Sequence, residues 1–171
     1  MFKTKRLALA AVLISIMLVL GYLESMLPVS PVPGIKLGLA NSVLIVSLYW
    51  LGVPVSFQIM VIKNVLLGLL VGNPMLIPYS LAGGTLSLSV MSILHKRRGV
   101  SPIGVGIAGG VTHNIGQVTL AMIILSTPSL VFYLGLLMPA GAVMGLITGT
   151  VGKTLIRHFP PDRYGNRPTN V

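Results

Sequence analysis

MFKTKRLALAAVLISIMLVLG, residues 1–21, decides how the rest of this chain is read. Three cations in the first six residues lead into an uncharged apolar run. That is also the layout of a secretory signal peptide, but Tyr22, Leu23, Glu24 and Ser25 follow and offer no small-residue cleavage motif. The segment therefore reads as a retained first membrane helix. Working outward from it, apolar runs separated by charge, proline and glycine give six candidate spans at about 7–23, 33–51, 55–72, 75–94, 103–125 and 129–152. Each is near the roughly 20 residues needed to cross hydrocarbon. The expected fold is all-α, a polytopic integral membrane bundle with one transmembrane domain over residues 1–158. A disordered tail is expected over 159–171, where Phe159-Pro160-Pro161 leads into polar sequence.

Composition supports the same reading. The chain is 54% hydrophobic and 8% charged, whereas a soluble domain keeps its surface wet with roughly 25% charged residues. Most of the outer surface must then be solvated by lipid. Lys3, Lys5 and Arg6 precede span 1, Lys96, Arg97 and Arg98 lie between spans 4 and 5, and Lys153, Arg157, Arg163 and Arg167 follow span 6. With six spans all three clusters fall on one side, and the positive-inside rule makes that side, with both termini, cytoplasmic. Five spans would divide them. The net charge of +10 is thus explained by orientation and by anionic lipid headgroups, not by a nucleic-acid partner. The first outer connection, ESMLPVSPVP (24–33), has three prolines and reads as a semi-rigid outer lid.

Chemistry is limited by what is missing. There is no cysteine, and Glu24 and Asp162 are the only acids. Carboxylate dyads, hard-cation cages, aspartate-rich diphosphate sites and thiolate chemistry are all excluded. Gly104, Gly106 and Gly109 match G-x-G-x-x-G, but no strand precedes them and no acid follows about 20 residues on. Gly149-Thr-Val-Gly152-Lys153-Thr154 imitates the end of a phosphate loop, but Ile147 stands where its first glycine belongs. The expected protein is neither a nucleotide hydrolase nor any other enzyme.

The informative residues are polar ones within spans. Lys63, in QIMVIKNVLLGLLVG (58–72), carries an insertion cost of about 2.5–3.5 kcal/mol. Asn64 follows it, on a stripe with Gly68 and Gly72. Span 5 holds THNIGQ (112–117), with His113 and Gln117 on one face and Asn114 beside them. A structural strut or a snorkelling ammonium accounts for any one of these residues. Lys63, Asn64, His113, Asn114 and Gln117, with Asn41 in span 2, together predict a polar cavity wall. Zinc needs more ligands than His113 supplies, so neither metal nor cofactor is expected. Small residues also recur at four-residue spacing: Ala11 and Ser15; Gly34, Gly38 and Ser42; Gly68 and Gly72; Gly106 and Gly110; Gly141, Gly145 and Gly149. Close helix packing within the bundle is the expected use of all of them. Ala11/Ser15 and the Gly141/Gly145/Gly149 stripe are also candidate docking faces for another membrane subunit. Glu24 is either an interfacial charge or a partner for Lys36.

GIKLGLANSVLIVSLYWLG (34–52), SLAGGTLSLSVMSIL (80–94), SPIGVGIAGGVTHNIGQ (101–117) and PAGAVMGLITGTVG (139–152) resemble the bacterial family called heptaprenyl diphosphate synthase component I, also labelled the Gx transporter family. The resemblance covers about residues 5–155, and its most specific parts are G-I-K-L-G-L-A-N and H-N-x-G-Q. It marks Gly34, Lys36, Gly38, Asn41, His113, Asn114, Gly116 and Gln117, and so adds Lys36 to the candidate substrate-binding residues. Size, helix number and the small-residue first helix are also similar to the substrate-binding S components of energy-coupling factor transporters. The resemblance implies a multi-pass protein of the bacterial plasma membrane that captures a small polar-headed or anionic molecule from outside. An isoprenoid or quinone precursor or a vitamin would suit, with a transmembrane coupling subunit and ATPase subunits as partners. Two alternatives are a membrane subunit of a quinone- or flavin-linked electron-transfer system and a non-catalytic component associated with heptaprenyl diphosphate synthesis. Prenyl chain elongation itself needs aspartate-rich motifs, which this chain lacks.

Overall fold

The computed structural model describes residues 2–26 and 38–160, and in them the chain forms six α-helices and no strand. These are α1 (Phe2–Met26), α2 (Leu39–Leu51), α3 (Val53–Leu70), α4 (Leu76–Leu94), α5 (Pro102–Leu125) and α6 (Leu134–His158), with a 3-10 turn at Pro128–Tyr133 before α6. Local chemistry sets the boundaries. Proline stands in the first turn of α3 and α5, where its missing N–H costs nothing, and the Ser101 side chain accepts from Gly104 N to cap α5. Five of the segments are long and apolar enough to cross a membrane. The protein is a multi-pass membrane bundle.

The exception is α2. Its 13 residues extend about 20 Å, short of the roughly 30 Å hydrocarbon core. The sequence predicts a span over 33–51, but Gly38 adopts φ 71 and the helix starts at Leu39; residues 33–37, and with them most of the proline-rich lid, lie outside the described residues. Every α2 residue except Leu39 and Asn41 is buried. A helix apolar around its whole circumference belongs inside a bundle, and α1, α3, α5 and α6 all pack on this one. The last span also differs from its predicted 129–152. It opens as a 3-10 turn and its α-helix runs on to His158, because no breaker intervenes between Gly152 and Pro160. Pro161 and the rest of the predicted tail lie outside the described residues.

Contacts at the helix ends fix how the bundle is strung. Arg6 donates to the Leu51 carbonyl at 2.8 Å, placing a cation on an open C-terminus of α2. Beside it Tyr49 meets the His95 ring, centroids 5.4 Å apart, and Trp50 meets Phe159 edge-on at 6.4 Å. The start of α1 and the ends of α2, α4 and α6 therefore share one end of the molecule. Lys5 and Arg6, Lys96 to Arg98, and Lys153 with Arg157 gather there. At the other end, Glu24 Oε1 accepts from the Leu39 amide at 2.6 Å, so the carboxylate caps the N-terminus of α2.

The small-residue stripes divide into three kinds. Gly106 and Gly110 of α5 pack against Gly141, Gly145 and Gly149 of α6 so closely that a methyl on Gly145 would lie 2.5 Å from the Gly106 carbonyl oxygen. The α6 stripe is thus covered by α5 and offers no face to another subunit. Gly68 packs on Ile77, but Gly72 is a turn residue at φ 71 with open space around it, and Gly38 lies outside the helix that follows. Gly68 with Gly72, and Gly38 with Ser42, therefore form no helix stripe, and Gly34 lies outside the described residues. Ala11 and Ser15 are exposed on α1, Ser15 Oγ bonding back to the Ala11 carbonyl, while Ala10, Leu13 and Met17 turn inward. Internal packing is not what that pair does.

Candidate functional site

Glycine-rich packing leaves a cavity where all six helices meet. It reaches from Glu24 and Gly38, at the end opposite the basic clusters, to Met91 on α4 and Thr148 on α6. Its volume is about 90 Å³, room for several waters at about 10–15 Å³ each on the same measure. An oily bundle does not need a polar void, yet this one is lined by Asn41, Lys63, Asn64, His113, Asn114 and Gln117. The wall brings together the six described residues that the sequence singles out. Lys36 lies outside the described residues.

Each side chain is held by a local device. Lys63, half-buried two-thirds of the way along α3, donates from Nζ to Asn64 Oδ1 at 3.1 Å. Asn64 is buried and passes the connection on, its amide nitrogen donating to the Ser80 carbonyl of α4 at 3.1 Å. The lysine is thereby tied through one amide to the neighbouring helix. On α5, Asn114 Nδ2 donates to the Leu137 carbonyl of α6 at 2.6 Å. These two asparagines join helices as well as lining the cavity. His113 and Gln117 owe their place to Gly83, where a methyl would lie 2.7 Å from the His113 carbonyl oxygen and 2.8 Å from Gln117 Cγ. Gly83 lets α4 approach until the face bearing His113 and Gln117 borders the void. Below them Ser87 Oγ donates to the Gly109 carbonyl at 2.8 Å, closing the α4–α5 side.

Sequence reasoning missed Glu24, Ser80, Ser87 and Thr148 as wall residues. Glu24 carried a usable signal, being the only carboxylate outside the tail. It lines the cavity and caps α2 at once, so it holds an edge of the wall in place. Ser80 and Ser87, two turns apart on α4, also shared a face legibly. Among the described residues no three His, Cys, Asp or Glu side chains come together as a metal site. The wall instead offers an ammonium, a carboxylate, an imidazole and several amides, which suits recognition of a compact polar group by hydrogen bonds and charge.

Fold and site together define a class: a polytopic α-helical membrane protein with a cavity between its helices that is lined by polar side chains. The chain belongs to the family described as heptaprenyl diphosphate synthase component I, whose family model matches residues 13–155. Comparison with curated proteins and with solved structures gives no match.

Proposed function

We propose that this protein is the substrate-binding subunit of an energy-coupling-factor-like transporter in the bacterial plasma membrane, capturing a small polar-headed or anionic molecule from the outer face. The observation that carries the reading is the convergence of Asn41, Lys63, His113, Asn114 and Gln117 on one void. Burying so many polar groups in lipid is unfavourable, and a ligand that satisfies them offsets the cost. The positive-inside rule supports a cytoplasmic basic end, which puts Glu24 and Gly38 at the outer mouth. The size of the void favours a compact head over a long prenyl chain. Binding without chemistry is the reading for the wall, because Glu24 is its single carboxylate and it already serves α2. Energy would come from a coupling subunit and ATPases, and the exposed Ala11/Ser15 face of α1 supports that part, since small side chains admit close helix approach in lipid.

Native mass spectrometry of the protein purified in mild detergent tests this. A retained small molecule that Lys63→Met releases, with copurifying ATPase subunits, is the expected result. A retained flavin or quinone would move the protein to electron transfer, and prenyl transfer by the purified chain would overturn the binding-protein reading.

A further inference from the structure

A second concave surface lies at the basic end, away from the cavity. There Thr150, Lys153, Thr154, Arg157 and His158 of α6 line a groove whose other wall is Ile103, in the first turn of α5. The spacing puts the five on one exposed side of α6 over two turns. Thr150 and Thr154 bond back to carbonyls of their own helix, and His158 Nδ1 lies 2.9 Å from the Thr154 carbonyl oxygen. The remaining cationic heads, Lys153 and Arg157, have no carboxylate beside them among the groove residues. The first turn of α5 adds the positive end of a helix dipole, although Pro102 has no N–H and Gly104 N is already taken by Ser101 Oγ.

The same side of α6 shows what sort of anion fits. Toward mid-membrane it continues into Val143, Leu146, Ile147 and Val151, exposed by 54%, 47%, 44% and 40%. An apolar track that runs without a break into a pair of cations matches a molecule that is itself an acyl chain ending in a phosphate. The other basic clusters differ among the described residues: Arg6 is engaged with the Leu51 carbonyl, which leaves Lys5 as a single cation above the exposed face of α1, and Lys96 to Arg98 stand in the turn beyond α4.

We propose that the α5–α6 groove binds an anionic phospholipid, its phosphodiester held by Lys153 and Arg157 and its acyl chain lying along Val143, Ile147 and Val151. The test is native mass spectrometry of protein released from nanodiscs of equal phosphatidylglycerol and phosphatidylcholine. Retention of phosphatidylglycerol is expected, falling about fivefold when Lys153→Gln or Arg157→Gln removes one cation and about thirtyfold when both are changed. Lys153→Arg with Arg157→Lys should restore it, and Lys96→Gln with Arg97→Gln should leave it unaltered. Equal loss in the Lys96/Arg97 control would reduce the effect to bulk charge and overturn the site. So would equal retention of the two lipids. Protection of the protein against heat by inorganic phosphate in detergent, with no phosphatidylglycerol retained, would make the groove a free-anion site and overturn the lipid assignment.

Discussion

Lys63 carries the largest insertion cost of any single side chain in the bundle, and its position gives the most direct test of the cavity. Lys63→Met removes the ammonium and keeps the length, so ligand binding should weaken about 10- to 100-fold, the worth of a charged hydrogen bond. The melting temperature should hold or rise, because the cost of placing a cation in the span is gone. Normal binding with a lowered melting temperature would make Lys63 a strut. His95 allows a different measurement. It stands just past α4, and burial, with Lys96 adding like-charge repulsion, holds its pKa below the ordinary 6.5. Its Nδ1 is buried and has no hydrogen-bond partner among the described residues. The folded protein therefore favours neutral imidazole. Stability should be full above about pH 6.5 and decline as the pH falls from there toward the lowered value, where the fold must accept the charge. His95→Gln should flatten that part of a melting-temperature profile relative to wild type. The sequence made the polar set legible because Lys63, Asn64 and THNIGQ stand out against an apolar background. It could not show that Asn64 and Asn114 divide their hydrogen bonds between the void and a neighbouring helix, since the acceptors are the backbone carbonyls of Ser80 and Leu137.

Between helices the glycines decide what touches what. Gly145→Ala drives a methyl into the Gly106 carbonyl of α5, a backbone atom that cannot swing aside. The expected loss is about 1–3 kcal/mol. Gly135, on the same helix, has open space around it, so Gly135→Ala should be neutral or slightly stabilising through helix propensity. Matched thermal melts of the two variants check the contrast; equal behaviour would mean that α5 and α6 do not meet as described. The exposed pair on α1 calls for the reverse outcome. Ala11→Trp with Ser15→Trp should leave ligand binding and melting temperature intact while abolishing ATP-dependent uptake and capture of a coupling subunit. Unchanged uptake would remove α1 as the docking helix. Four-residue spacing announced both stripes equally, because it reports that a face is smooth and not which neighbour covers it. The shortened α2 was illegible for a related reason. Hydropathy runs straight through Gly38, and only the left-handed backbone there reveals that the helix has not begun.

The order of the six helices was the most legible feature of the whole molecule, because the charge clusters before span 1, between spans 4 and 5 and after span 6 fall on one side with six spans and not with five, and the end contacts of α2 agree with it. The absence of cysteine makes the orientation directly measurable. Single cysteines at Asn73 or Ser126, both exposed at the end opposite the basic clusters, should react with an impermeant maleimide on intact cells, whereas Arg98→Cys should react only after lysis. Labelling of Arg98→Cys alone would invert the protein. The depth of the cavity was not legible, since it depends on how far apart glycine-lined helices come to rest, and that distance is fixed by backbone contacts on α4, α5 and α6. This has a consequence for biosynthesis. Ala140, Gly141, Met144, Gly145 and Thr148 of α6 supply one wall of the void, and α6 is synthesised after the other five described helices. A nascent chain with α1 to α5 inserted has Lys63 and His113 in place but lacks that wall, so under the proposed function it should not hold its ligand. If the proposed function holds, ligand retention should report that α6 has docked, and a membrane protease would then distinguish docked from undocked molecules by whether the cavity is occupied.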